Sequence, residues 1–280
     1  MTTNQPYITF HDGRRAPQLG MGTWQLTGDA VVPSIQAAVE AGYRSIDTAA
    51  IYGNEVEVGR GIARCGIPRE DLFVATKVWN DRHGHDSTKT ALQESLDRLG
   101  LDYVDLYLIH WPVPQNKRYL ETWEALIQLR DEGRARSIGV CNFQVGHLQK
   151  LLDSTGVLPV VNQIELHPHF QQAELRAYHQ DHDIRTEAWS PLGRTQALQD
   201  PVILELAHQL QATPAQVILR WHIQMGHMVI PKSSHPARLQ ENINLWNLHL
   251  DDAALARIAA LDRADGRIGP DPDTFYLMKK

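Results

Sequence analysis

Cysteine is scarce: Cys65 and Cys141 are the only two in 280 residues, so no disulfide framework is expected and a reducing cytoplasm is the simplest home. The first residues, MTTNQPYITF, carry neither a basic segment nor the apolar core of a secretion signal. No apolar run is long enough to cross a bilayer, and no membrane contact is expected. Positive charge is in deficit as well, with a net charge of -6, which argues against a general nucleic-acid binder. Neither G-x-G-x-x-G nor G-x-x-x-x-G-K-[ST] occurs, so the phosphate loop usual after an early strand of an open, doubly wound sheet is missing.

What is present is an alternation of strand-like and helix-like segments. Apolar runs recur at DLFVATKVW, DYVDLYLIHW, SIGVCNF, VVNQIELHP, IRTEAWSPL and MVIPKS, and helical spacing recurs between them, as at 88–99, 119–131 and 214–224. Strands covered on both faces read as continuous apolar runs, and strands separated by helices pair in parallel. With a strand at Ile46 and a short one near Leu245, the chain offers about eight units, the number that closes a barrel. The expected fold is therefore α/β, a single (β/α)8 TIM barrel over residues 1–280. A short N-terminal β-hairpin precedes it, with strands at 7–10 and 14–19 around the turn dipeptide Asp12-Gly13. LGMGTWQL reads as a glycine-punctuated loop, and 32–41 as a helix that Gly42 stops.

Each strand run ends in polar residues: Asp47, Lys77, His110, Asn142, Gln163 with Glu165, Ser190, and Lys232 with Ser233. In a barrel these positions converge on the carboxyl-end face, where active sites are built. Asp47 and Tyr52 come from one stretch, EAGYRSIDTAAIYGNEVEVG, and with Lys77 and His110 they make a proton-transfer set. A free tyrosine has a pKa near ~10, so acid–base work at neutral pH needs a neighbour that stabilises the phenolate. Lys77 supplies that charge, Asp47 keeps the ammonium charged despite burial, and His110 donates a hydrogen bond to a substrate oxygen. Taken singly, Asp47 reads as a helix cap or as half of an interior ion pair with Lys77, and His110 as a satisfied core histidine. Their coincidence at strand ends favours a carbonyl-polarising site.

Over nearly its whole length the chain resembles the aldo-keto reductase family. The segments GYRSIDTAAIYGNEVEVG, LIHWP, SIGVCNF, NQIELHP and IPKSSHPARLQEN, with the strand end at Lys77, occur in the family's order. The resemblance is greatest to the short bacterial type that includes 2,5-diketo-D-gluconate reductases. It implies NADPH-dependent reduction of aldehydes and ketones to alcohols, keto sugars and small dicarbonyls such as methylglyoxal among the substrates. By the same resemblance Tyr52 is the general acid, Lys77 lowers its pKa, Asp47 pairs with Lys77, and His110 orients the carbonyl.

The resemblance also assigns the cofactor residues. Asn142 and Gln163 hold the nicotinamide carboxamide, Trp189 stacks on the ring, and Ser190, Leu192 and Gly193 lie beside the pyrophosphate with Arg194 near it. Lys232, Ser233 and Arg238 form the pocket for the adenosine 2'-phosphate, and Glu241 and Asn242 meet the adenine. Two positions depart from the pattern. Cys141 stands where many members have serine, which weakens a hydroxyl contact to a thiol one. His235 stands where an arginine often binds the phosphate, so NADPH preference is expected to weaken as rising pH removes the imidazole charge. Trp24, Trp79 and Trp111 imply an aromatic mouth, and the short tail after Leu261, ADGRIGPDPDTFYLMKK, implies an open pocket.

Some residues invite different chemistry. His83 and His85 in DRHGHD lack a third ligand and read as a polar surface loop, so no metal is assigned. A Schiff-base aldolase would use Lys77 as nucleophile, but that needs a depressed lysine pKa and Asp47 acts the other way. A regulatory barrel that binds NADPH and turns over little is the remaining alternative. With no extended apolar element demanding a protein partner, a monomer acting on a small carbonyl compound is expected.

Overall fold

The computed structural model describes residues 5–278. Its first element is an antiparallel pair, β1 (Tyr7–Thr9) with β2 (Arg15–Pro17). The connection is wider than a tight two-residue turn: Thr9 pairs with Arg15, and Phe10 N donates to Arg14 O at 2.8 Å. Phe10 and Ala16 pack against Phe73, Leu106 and Met228 at one end of the barrel interior, so the hairpin plugs that end.

Eight strands then form one sheet: β3 (Met21–Gly22), β4 (Ser45–Asp47), β5 (Phe73–Val78), β6 (Val104–Ile109), β7 (Ala135–Cys141), β8 (Val161–Glu165), β9 (Arg185–Trp189) and β10 (Met228–Val229). They pair in parallel in chain order. The two ends meet through a parallel bridge between Leu19 and Val229, where Gly20 N donates to Val229 O at 2.8 Å. The expected barrel is there, but its eighth strand is not near Leu245, which follows a helix in a turn. It is Met21–Gly22, inside the segment read as a loop. The glycines misled that reading because they serve close approach rather than flexibility. A Cβ at Gly22 would lie 2.7 Å from Ile230 O across the seam.

Helices cover the outside: α1 (Val31–Ala41), α2 (Glu55–Arg64), α3 (His85–Leu99), α4 (Tyr119–Asp131), α5 (Val145–Thr155), α6 (Ala173–Asp181), α7 (Pro201–Gln209), α8 (Pro214–Gln224), α9 (Pro236–Ile243) and α10 (Asp252–Ala259). The spacings over 119–131 and 214–224 are α4 and α8 as expected, while α3 starts three residues before 88. Gly42, at φ 111°, ends α1 in the left-handed conformation that favours glycine.

Strand parity divides the side chains. In β6, Tyr107 and Ile109 join the large core beneath the helices, whereas Leu106 and Leu108 fill the barrel interior. By the same alternation Val74, Val140, Ile164 and Ala188 face outward. Asp47, Lys77, Cys141, Gln163 and Glu187 therefore share the inward face of five strands.

Candidate active site

The inward polar residues make one connected floor. Lys77, fully buried, donates from Nζ to Asp47 Oδ1 at 2.5 Å and to Thr48 O at 2.8 Å. Burial alone would push the ammonium's pKa down, but Asp47 and then Tyr52 outweigh it and hold the pKa above its ordinary value. The lysine is thus charged at neutral pH. Asp47 Oδ2 accepts from Gln163 Nε2 at 3.0 Å, and the same nitrogen donates to Glu187 Oε2 at 2.7 Å. Asp47 is no helix cap, for both its carboxylate oxygens are engaged in the floor.

Tyr52 reaches this floor from a 3-10 turn, Ala50–Tyr52, which Gly53 ends at φ 67°. Lys77 Nζ lies 5.3 Å from the Tyr52 ring centre, and the His110 ring stands edge-on to it at 5.7 Å. Burial pushes the Tyr52 phenol up to about 12, and the pull of Lys77 only moderates that rise. The expected lowering by Lys77 is therefore present but is not the larger effect. The proton stays on Tyr52 at neutral pH. His110 is driven well below its ordinary range, first by burial and then by Lys77 and His83, so it is neutral. Its Nδ1 is buried with no hydrogen-bond partner among the described residues.

Asn142, at φ 62°, follows β7; its Nδ2 donates to His110 O at 3.0 Å, while Trp189 Nε1 donates to its Oδ1 at 2.8 Å. This ties the ends of β7 and β9 to the residue after β6. Beyond Trp189 the backbone turns through a run of positive φ values at Ser190, Gly193, Arg194 and Thr195, with Leu192 half-buried among them. Lys232, His235 and Arg238 are exposed at the start of α9, and among the described residues none pairs with a carboxylate. Buried Ser233 accepts from His235 N at 3.1 Å. Glu241 Oε1 accepts from Thr213 Oγ1 at 2.8 Å, and Asn242 is buried. Two amide side chains at the barrel mouth and unpaired cations at a helix N-terminus fit a dinucleotide with a carboxamide at one end and an extra phosphate at the other.

The aromatic mouth is narrower than expected. Phe275 from the tail lies 4.4 Å from the Trp111 ring and 6.4 Å from the Trp79 ring, which leaves both tryptophans 7% exposed. The tail is fastened by its backbone: Ile268 N and Gly269 N donate to the Glu165 carboxylate at 2.6 and 2.7 Å, and Asn80 Nδ2 donates to Leu277 O at 2.8 Å. The open pocket expected from tail length is corrected, because backbone bonds and one aromatic suffice to hold a strap there. Trp24 stays apart and exposed, with the Arg194 guanidinium 5.6 Å from its ring centre.

His83 is also corrected: it is buried, both ring nitrogens lack partners among the described residues, and burial followed by Arg118 takes its pKa down to about 4. His85 is bound instead to Asp86 at 3.0 Å. Among the described residues no three His, Cys, Asp or Glu side chains gather as a metal site. Sequence reasoning gave no role to Glu187 or Phe275, and placed Glu165 only among the polar strand ends. The available signals were a glutamate inside the apolar run IRTEAWSPL and a phenylalanine in an otherwise polar tail.

The family model described as "Aldo/keto reductase family" matches residues 18–263. The chain is 50% identical over 274 residues to the methylglyoxal reductase DkgA of Escherichia coli, covering 97% of this chain and 98% of that protein. It is 52% identical over 270 residues to an aldo-keto reductase of Mycolicibacterium smegmatis, covering 96% and 98%. Among solved structures, a mutant of Gox0644 in complex with NADPH superposes with a TM-score of 0.94 at 48% identity, covering 98% of this chain and 99% of that one. An aldo-keto reductase of Bombyx mori in complex with NADP gives 0.87 at 39% identity, covering 94% of each chain.

Proposed function

Because the chain belongs to the aldo/keto reductase family, we infer that its floor of Asp47, Tyr52, Lys77 and His110 reduces aldehydes and ketones to alcohols with NADPH. The observation that carries this reading is a half-buried Tyr52 whose ring centre lies 5.3 Å from the Nζ of fully buried Lys77, itself bound to Asp47. NADPH, when bound, supplies the hydride for the carbonyl carbon. Neutral His110 orients the carbonyl oxygen by a hydrogen bond, and Tyr52 gives that oxygen its phenolic proton as negative charge builds there. An alkoxide is a stronger base than a phenolate, so the transfer is downhill even from a phenol held near 12. Lys77 stabilises the phenolate left behind, and Asp47 keeps Lys77 charged and in place.

At the nicotinamide end Asn142, Gln163 and Trp189 would hold the cofactor, with Ser190, Leu192, Gly193 and Arg194 along the pyrophosphate. Lys232, Ser233, His235 and Arg238 would take the 2'-phosphate, and Glu241 and Asn242 the adenine. Trp79, Trp111 and Phe275 exclude water and favour small carbonyl compounds, methylglyoxal and compact keto sugars such as 2,5-diketo-D-gluconate among them. The E. coli relative is named for methylglyoxal. We read the chain as one catalytic domain. Apart from the adjacent Tyr276 and Leu277, its exposed large apolar side chains are scattered singly along the chain, which suits a monomer, and its two cysteines stay free, which suits the cytoplasm.

NADPH oxidation against methylglyoxal, an aromatic aldehyde, a simple ketone and 2,5-diketo-D-gluconate, repeated with NADH, tests the activity. Tyr52→Phe is expected to lower kcat about 100- to 10,000-fold while NADPH binding is kept. Full activity in that variant would assign the proton to another group. The purified protein should sediment at the mass of one chain.

A further inference from the structure

Glu187 has no part in the chemistry above, yet it sits in the same floor. It lies on β9 across from Gln163 on one side and Met228 on the other, faces inward, and is 4% exposed. Gln163 Nε2 donates to Glu187 Oε2 at 2.7 Å and to Asp47 Oδ2 at 3.0 Å. An ionised carboxylate only accepts, so the atom facing two of them must be the NH2 group, and the amide orientation is fixed by chemistry. Gln163 Oε1 is turned toward the Cys141 thiol, 3.8 Å away and a weak donor, which leaves the oxygen free to accept from an arriving carboxamide. Charge points the same way. Asp47 already balances Lys77, so an ionised Glu187 makes the floor net negative.

We propose that Glu187 is a positioning residue for the nicotinamide end of the cofactor. Its carboxylate aims Gln163 as an acceptor for the carboxamide, and its negative charge favours the cationic oxidised ring over the neutral reduced one. The proposal rests on the reductase reading above.

The charged and titratable groups around it come from several elements: Asp47 on β4, Tyr52 after it, Lys77 on β5, His110 after β6, and Cys141 on β7. Burial and then Asp47 push Glu187 up to about 7, against the pull of Gln163 and Lys77. Tyr52 is held near 12, Lys77 and Cys141 lie above their ordinary values, and His110 lies well below its own. Of these shifted groups, only Glu187 changes charge between about pH 6 and 8.

Dissociation constants for NADPH and NADP+ measured from pH 5.5 to 8.5, by quenching of tryptophan fluorescence, test the proposal through their ratio. The phosphate end, His235 included, meets the same groups in both nucleotides and cancels. In the wild type NADP+ should gain on NADPH by about 3- to 10-fold as pH rises through 7, the scale of one added charge at intermediate dielectric. Glu187→Gln should hold the ratio flat near its acid value, and Glu187→Asp should restore the pH dependence with weaker binding of both. A merely structural role would weaken both nucleotides alike and leave the profile of the ratio unchanged. A flat wild-type ratio, or a wild-type profile in Glu187→Gln, overturns the proposal. Failure of the wild type to bind either nucleotide overturns the reductase reading and this inference with it.

Discussion

Taking an ammonium out of water without a partner costs several kcal/mol, and Lys77 escapes that cost through two short contacts, to Asp47 and to the Thr48 carbonyl. Tyr52 shows the opposite balance, since burial outweighs the lysine and keeps the proton on the phenol. His235 is exposed at the N-cap of α9. If it belongs to the 2'-phosphate site, His235→Ala weakens NADPH binding and leaves NADH binding unchanged. No loss, or an equal loss for both nucleotides, would remove His235 from the site. Asp47, Lys77 and His110 were legible as neighbours because a polar side chain near the end of an apolar run adds little to packing but stands at the carboxyl end of a barrel. Tyr52, on the 3-10 turn beyond β4, was placed with them by its nearness to Asp47 in sequence. Glu187 was not, since it stands two residues short of the end of β9, where inward and outward parity cannot be told without the register. His83 was misread because its neighbours in sequence are polar, whereas its burial is set by distant parts of the chain.

Among the elements, the tail strap departs furthest from expectation. Gly269 passes so close to the site that a Cβ there would lie 2.4 Å from Trp189 Cη2 and 2.7 Å from Glu165 Oε2. Gly269→Ala is expected to displace the strap or the tryptophan at a cost of about 1–3 kcal/mol. Tryptophan emission should shift to the red as Trp79 and Trp111 gain water, and KM for a small aldehyde should rise. Unchanged emission and KM would show that the strap does not shape the mouth. Elements of regular period were readable from the sequence, as α4 and α8 show. The seam strand and the strap were not, because Met21–Gly22 is a two-residue strand set among glycines and a backbone-fastened tail carries no period.

For the molecule as a whole, buried histidines set the acid limit. His179 donates or accepts at both nitrogens, with Thr186 Oγ1 at 2.8 Å and Asn162 Nδ2 at 2.9 Å, and His222 and His227 face each other at 3.3 Å. Burial takes His83 down to about 4 and His179 and His222 to about 3, and His110 and His227 also lie well below their ordinary range. In the unfolded chain these imidazoles take up protons below about pH 6.5, where the folded chain keeps them neutral, so stability is lost as pH falls. The melting temperature should therefore drop steadily from pH 6.5 toward pH 4. A constant melting temperature between pH 6.5 and 4.5 would mean that the imidazoles are protonated in place. The strap bears on a different property of the whole molecule, its capacity to diverge. Glu165 grips main-chain N–H groups, which every residue but proline possesses, so side chains farther along, Phe275 among them, can be exchanged without loosening the grip. Descendants of this chain can thus vary the lining of the mouth by rewriting a few terminal codons, while the polar floor beneath it is inherited intact.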